Sequence, residues 1–490
     1  MNDAPSTLKP VWVVLCFTAV HAGLVFFRLD HHGLWLDEVM SINAAMASWP
    51  EMWRFFTALP EQHPLYYLIL RPWLFAFGDS PAALRSLSAV FSVATVPALY
   101  LFVRQLVGTA PALMATGLFA LAPFSVFYGQ EGRMYSLLLF LVCVSSALWL
   151  RVLSSQGPDW PKMAYVAMAV AGVYTHFFFA FVVLAHGILG MFWPGRDTWS
   201  GRVRALVLPT LVGLLYLPWI IVILLNFPEG QDWKGPAHAI FAVPYTLLRF
   251  AVGYAILMPN HGWQERIVDL VRSEAWLLVV SVIVFGALAW AGIRGAVKTR
   301  SPEGLRSLSF LGLVPVLVPL LLSPIMILAG ERYFLVVYPV FLAVLGAGLW
   351  AGVGGRTPAA RLQALVLVLL MLTVWTVSHA RYYTSASFGK EGWRDASAII
   401  LASDASGTSL QYFPSHVGPS VTYFLDPTVT NIELTPFQSC ESALESPGWI
   451  MVSYREDPSE VLLCIEASRA SVESHFIPFG IGLHLFRISP

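Results

Sequence analysis

The feature that most limits what this chain can become is its series of long apolar runs. A helix that crosses a bilayer needs roughly 20 predominantly apolar residues. Eleven stretches are expected to do so, at 11–27, 82–103, 110–127, 133–152, 162–175, 177–193, 205–225, 274–293, 308–328, 333–352 and 362–380. The fifth and sixth are divided at Tyr174-Thr175-His176, because one helix of about 30 residues would overshoot a single crossing. Composition excludes a water-soluble core: 57% of the 490 residues are apolar and 12% charged, and mean hydropathy is +0.67. The fold class is therefore a polytopic α-helical membrane protein. The first run is read as a spanning helix rather than a cleaved leader, since few basic residues flank it and no small-residue cleavage site follows.

The formal net charge is zero, so orientation rests on where the Lys and Arg residues fall. With the N-terminus cytoplasmic, successive inside loops hold Arg104, then Arg151 and Lys162, then Arg196, Arg202 and Arg204. The remaining inside loops carry Arg294, Lys298, Arg300 and Arg306, then Arg356 and Arg361. Each inside loop thus carries positive charge, and an odd number of crossings places the C-terminus outside.

The first outside segment, residues 28–81, is neither a short turn nor a polar loop. Residues 39–58 mix Met, Ile, Ala, Trp and Phe with Ser, Asn, Glu and Arg, which suits short amphipathic helices in the interface. Residues 64–78 are apolar but short and carry Arg71-Pro72, so they read as an interfacial or re-entrant helix. Near the start of this loop lies Leu34-Trp35-Leu36-Asp37-Glu38-Val39-Met40-Ser41. Taken alone, Asp37 could cap a short helix starting at Glu38. The other outside turns change the balance. They bring Gln130-Glu131-Gly132-Arg133-Met134-Tyr135, Glu331-Arg332-Tyr333, His63 and His176 to the same face as the acid pair. Juxtamembrane snorkelling explains any one of these residues, but five outer segments supplying acids, Arg and His at one level point to a shared site.

The order Trp35-Leu36-Asp37-Glu38, then Glu61-Gln62-His63-Pro64-Leu65-Tyr66-Tyr67, then Gln130-Glu131-Gly132-Arg133-Met134-Tyr135, then Tyr174-Thr175-His176, then Arg332-Tyr333 resembles the GT-C fold glycosyltransferases. These are relatives of protein O-mannosyltransferases and lipid A aminoarabinose transferases. The resemblance spans about residues 11–380. It implies a transferase that takes a sugar from a polyprenyl-phosphate carrier at the outer face of a bacterial cytoplasmic membrane and passes it to a glycan, lipid or protein acceptor. In such families an acid of the first outer loop is catalytic, which corresponds to Asp37, with Glu38 beside it. Where many relatives have two prolines after the basic residue of the second motif, this chain has His63-Pro64-Leu65.

The residues support that chemistry directly. Transfer to a hydroxyl, by inverting single displacement, needs a base for the acceptor proton, and Asp37 fits. The leaving lipid phosphate needs fixed cations, for which Arg133, expected at a wet outer turn, Arg332 and His63 are candidates. Glu131 and His176 are candidates for substrate or metal contact. No metal or other cofactor is expected, because no His or Cys cluster has transition-metal spacing, and there is no Gly-rich phosphate loop. No nucleic-acid partner is expected. Deep inside the spans ionisable side chains are scarce, with His21 and His186 the notable cases. This argues against an ion-coupled pump. A non-catalytic flippase or exporter of lipid-linked glycans remains the alternative.

Two segments complete the reading. The long outer segment 226–273, containing Trp233, Pro236, Pro244, Pro259 and Trp263, is expected either to cover the site or receive the acceptor, or to lie in the interface as a helix. Residues 1–380 form the membrane domain, and 381–490 are polar enough to fold in water. Strand-like stretches at 409–413, 448–454 and 483–488 and helical patterns at 390–402 and 458–469 suggest a small soluble α/β domain outside the membrane. Cys440 and Cys464 are its cysteines and a candidate disulfide, whereas Cys16 and Cys143 fall in spans.

Overall fold

The computed structural model describes residues 9–154, 158–195, 198–226, 237–254, 263–298, 302–323, 332–355, 357–384, 391–403, 409–440, 448–454, 457–467, 471–477 and 482–489. Helix α1 (Pro10–Phe26) leads into three short helices, α2 (Leu36–Met46), α3 (Trp49–Ala58) and α4 (Pro64–Phe77). The bundle then continues through α5 (Pro81–Val107), α6 (Thr109–Leu121), α7 (Pro123–Gly129), α8 (Tyr135–Ser154), α9 (Trp160–Val173), α10 (Phe179–Met191) and α11 (Trp199–Leu225). It closes with α12 (Ala237–Val252), α13 (Trp263–Lys298), α14 (Pro302–Leu322), α15 (Tyr338–Val353) and α16 (Pro358–Thr384). Helices α1, α4, α5 and α7 each open on a proline, whose missing N–H costs nothing at a helix start.

All eleven expected runs coincide with helix, but their lengths are unequal. Among the described residues, seven helices are long and apolar enough to cross a bilayer, and an eighth crossing results if α6 and α7, bent by 58°, are counted together. Helices α1, α9 and α10 have 17, 14 and 13 residues. At about 1.5 Å per residue they fall short of a hydrocarbon core of about 30 Å. Helix α10 is covered by α11 and α14, so the bundle rather than its own length accommodates it. The break between α9 and α10 falls at residues 174–178. Helices α13 and α15 approach closely because Gly292 and Gly348 face each other's backbones. A Cβ on Gly348 would lie 1.9 Å from the Leu288 carbonyl oxygen, so the contact depends on small residues.

Helix α4 passes through Pro72 without a break. Arg71 supports it by donating to the Ala45 and Ala47 carbonyls while its guanidinium lies over the rings of Trp49 and Phe75. The Leu65 N–H donates to the Tyr174 carbonyl at 3.0 Å, which ties this helix to the α9–α10 turn. The long segment after α11 contains α12. Trp233, Pro236 and Pro259 lie outside the described residues. The end of α12 is pinned at Gly253, whose φ is +77° and where a Cβ would lie 2.6 Å from Pro123, so only glycine fits. Tyr254 then stacks on Phe127 with ring centroids 3.8 Å apart.

The C-terminal domain contains a five-stranded sheet in the order β2-β1-β3-β5-β4, from β1 (Ser409–Phe413), β2 (Glu433–Pro436), β3 (Gly448–Ser453), β4 (Ser471–Ile477) and β5 (Leu483–Ser489). β1 pairs parallel with β2 and β3, and β5 pairs antiparallel with β3 and β4. Side chains alternate across the sheet. Leu410, Trp449, Met451 and Leu485 meet α17 (Trp393–Ala402) and α18 (Gly418–Phe424) on one face. Ile450, Val452 and Phe486 meet the helix Ser459–Ala467 on the other. Strands β2 and β4 were not expected. β2 has four residues ending in proline, and β4 is an edge strand with much of its surface exposed, so neither carries a hydrophobic signal. Cys440 and Cys464 are joined, and a loop of 24 residues closed in this way stabilises a domain by about 3 kcal/mol.

The sheet domain rests on the segment between α1 and α5. Tyr423 donates to the Asp79 carbonyl at 3.1 Å, and α18 packs on α2. Single cysteines at Asp79 and Val429 are expected to react with an impermeant thiol reagent added from the outer side, and cysteines at Asp159 and Thr357 to be protected until the membrane is opened. All four positions are exposed, so protection at Asp79 with reaction at Asp159 would invert the assigned orientation.

Candidate active site at the outer loops

The site is built upward from a buried ion pair. Glu38, in the first turn of α2, is fully buried, and its carboxylate accepts from Arg85 at 2.9 Å (Nε) and 2.7 Å (Nη2). The other Arg85 donors go to the carbonyls of Leu29, His32 and Gly33 at 2.8–2.9 Å. All five guanidinium N–H groups are therefore satisfied. The Gly132 N–H also donates to Glu38 Oε1 at 2.8 Å, and a Cβ on Gly132 would collide with Leu84 at 2.5 Å. Glu38 is thus buried and engaged with Arg85 and the Gly132 amide, with no face open to solvent. Arg85 itself lies one turn inside a spanning helix, so the spans hold ionisable groups beyond His21 and His186.

Arg133 forms the next layer, and it is not at a wet turn. It is 3% exposed and donates to the Asp37 carbonyl at 3.2 Å, Ser41 Oγ at 2.9 Å, Tyr67 Oη at 3.2 Å and Gln62 Oε1 at 2.9 Å. These acceptors are neutral, and its Nε is buried with no partner. Arg133 therefore fixes α2 against α4 while leaving a positive field beneath the loop.

Asp37 stands above this layer. Helix α2 begins at Leu36 with Trp35 at its cap position, so Asp37 belongs to the first turn and is not a cap. Adjacent helical residues diverge by about 100°, which sends Glu38 inward and Asp37 to the mouth. Its Oδ2 lies 3.5 Å from Arg332 Nη1, with the two side chains 25% and 37% exposed. The Arg332 guanidinium lies over the Tyr333 ring. Glu331 lies outside the described residues.

The remaining candidates are buried. His63 Nδ1 donates to the Glu61 carbonyl at 2.9 Å, and its Nε2 accepts from Tyr216 at 2.6 Å. Burial pushes its pKa down to about 4, and both ring nitrogens are engaged within the protein. His176 is 5% exposed and accepts from the Phe178 N–H at 3.2 Å. Burial, with His63, Arg332 and Arg133 nearby, holds its pKa well below the ordinary value. Glu131 is 4% exposed, and its carbonyl accepts from the Arg133 N–H at 2.7 Å. That burial does not suit an open substrate contact. Among the described residues, no group of three or more His, Cys, Asp or Glu side chains converges as a metal-ligand set.

Sequence reasoning missed Arg85, Gln62 and Arg249. Arg249 is 3% exposed and lies over the Tyr254 ring at 4.4 Å, and Tyr254 hydroxyl contacts that of Tyr128 at 3.0 Å. An Arg inside an apolar run was a usable signal for Arg85 and Arg249, since such a charge must find partners.

The architecture and the layered outer-loop cluster define a multi-pass membrane protein of the GT-C fold. The family model described as dolichyl-phosphate-mannose-protein mannosyltransferase matches residues 61–223. Among solved structures, the chain is similar to apo ArnT from Cupriavidus metallidurans, with 15% identity, 97% of each chain covered and a TM-score of 0.57. It is also similar to ArnT from the same organism bound to undecaprenyl phosphate, with 14% identity, 98% of each chain covered and a TM-score of 0.54. A third is the oligosaccharyltransferase AglB from Archaeoglobus fulgidus in complex with an inhibitory peptide and a dolichol-phosphate. It has 12% identity and a TM-score of 0.54, with 98% of this chain and 74% of that one covered. No curated protein matches the sequence.

Glu38→Ala and Arg85→Ala are each expected to cost about 3–5 kcal/mol, because either leaves an unpaired buried charge. Arg133→Ala is expected to destabilise as well, by removing four hydrogen bonds between α2 and α4. Thermal unfolding in detergent checks this, and unchanged melting would overturn the layered reading. His63 generates a pH prediction. Below about pH 6.5 an unfolded imidazole takes up a proton that folded His63, with a pKa of about 4, refuses. Stability therefore declines as pH falls through this window, and His63→Gln should flatten part of the decline in melts run between pH 7.5 and 5.

Proposed function

We propose that the protein transfers a sugar from a polyprenyl-phosphate carrier to an acceptor hydroxyl at the outer face of a bacterial cytoplasmic membrane. The observation that carries this reading is the open Asp37–Arg332 pair, 3.5 Å apart, above the buried charge of Arg133. It supplies a carboxylate and a guanidinium at the one level where a lipid phosphate and a water-borne acceptor can meet.

In the reaction, Asp37 takes the acceptor's hydroxyl proton as that oxygen attacks the anomeric carbon of the donor. The bond from this carbon to the phosphate oxygen breaks, and the electron pair leaves on the polyprenyl phosphate. Arg332 meets the growing phosphate charge through charge-assisted hydrogen bonds, and buried Arg133 adds to the field. Attack opposite the leaving group inverts the anomeric centre. In the free protein Arg332 faces Asp37. A donor phosphate would draw Arg332 toward itself, which frees the Asp37 carboxylate to meet the acceptor hydroxyl.

Reconstituted Asp37→Asn is expected to lose transfer by at least about 100-fold while still binding the donor. Arg332→Ala is expected to weaken both donor binding and turnover. Transfer by Asp37→Asn at the wild-type rate would sink the base assignment. Movement of lipid-linked sugar across the bilayer by wild type and Asp37→Asn alike, with no new glycosidic bond, would identify a flippase.

A further inference from the structure

We propose that Glu391 is a positioning residue for Asp37, through which the C-terminal domain completes the helix that carries the proposed base. The inference rests on the reading of Asp37 given above. Its starting point is a missing cap. The first N–H groups of a helix need acceptors, which a Ser, Thr, Asp or Asn at the cap position commonly supplies. Helix α2 has Trp35 there, which makes no side-chain cap bond, and flanking Leu34 and Leu36 offer no side-chain oxygen.

The acceptor comes instead from 355 residues away. Glu391 Oε2 accepts the Leu36 N–H at 3.1 Å. Glu391 is only 5% exposed, and the same oxygen accepts from the indole N–H of Trp393, which is fully buried in the sheet-domain core with Ala396 and Ile400. The carboxylate is therefore aimed by the packed interior of one domain at the helix start of the other. Two further contacts hold the approach to α2. The Glu391 carbonyl oxygen would lie 3.2 Å from a Cβ on Gly33, and Arg394 donates to the Asp30 carbonyl at 3.0 Å. The turn segment leading to α2 is thus clamped by Arg85 from the bundle and by Glu391 and Arg394 from the sheet domain.

Leu36 is the residue immediately before Asp37, so any loosening of its N–H moves Asp37 first. The 3.5 Å separation from Arg332 leaves little tolerance for such movement. Glu38 and Arg133 secure the later part of the turn, and Glu391 acts on its beginning.

The test uses the full chain in lipid nanodiscs with two variants. Glu391→Gln keeps an acceptor oxygen, whereas Glu391→Ala removes it. Hydrogen exchange is read on peptides covering residues 30–40, and turnover is read with a lipid-linked donor. Glu391→Ala should exchange faster at the start of α2 and show kcat lower by about 10–100-fold, the scale of a catalytic group displaced by about 1 Å. Its donor KM should stay close to wild type, since Arg332 sits on a different turn. Glu391→Gln should restore most of both properties. A residue that merely supported folding would lower the yield of folded protein and leave kcat per folded molecule unchanged, and that result overturns the proposal. Unchanged exchange at residues 36–40 in Glu391→Ala also overturns it. If wild type transfers no sugar, the glycosyltransferase reading fails by itself, and the cap stands or falls on the exchange data.

Discussion

The buried pair between Glu38 and Arg85 is the interaction on which the outer face depends. Removing two charges from water is expensive, and their attraction offsets that cost only when the remaining polar groups are also satisfied. Here they are satisfied by backbone: Arg85 takes three carbonyls of the turn segment before α2, and Glu38 takes the amide of Gly132. One side-chain pair thereby joins α5, the approach to α2 and the α7–α8 turn. If either charge were lost, three outer segments would lose their common anchor.

This anchor explains how two neighbouring acids come to lie in opposite environments. Helical rotation turns Glu38 into the bundle, where it is paired and sealed, and leaves Asp37 facing the mouth, where its partner Arg332 is half exposed. Between them lies Arg133, a buried cation bonded to neutral oxygens. A guanidinium held in this way biases its surroundings toward anions. The cluster is therefore graded, from a fully neutralised base layer to an open pair at its top.

The sheet domain is part of the same construction. Its helices cover the outer loop, and its contacts with residues 30–36 and Asp79 run through backbone groups of the loop rather than through surface charges. Such contacts hold a chain path in place. They are also insensitive to salt, unlike exposed ion pairs.

Much of this was legible in the sequence. Apolar runs determined the membrane class and the approximate helix positions, because a bilayer imposes a length scale that a sequence must display. The order of the motifs between the spans led to the GT-C fold. The helices of the first outer loop followed from their amphipathic pattern. What only the tertiary structure decided was which polar residues face which. Glu38 and Asp37 are adjacent in the chain, yet burial separates them. His63, His176, Glu131 and Arg133 all had the composition of a wet site, and packing placed each of them inside. The cap on α2 comes from Glu391, 355 residues away, and no local pattern can announce it. Periodicity and charge record how a segment meets its solvent, whereas the partner of a buried charge is set by long-range packing, which a linear reading does not contain.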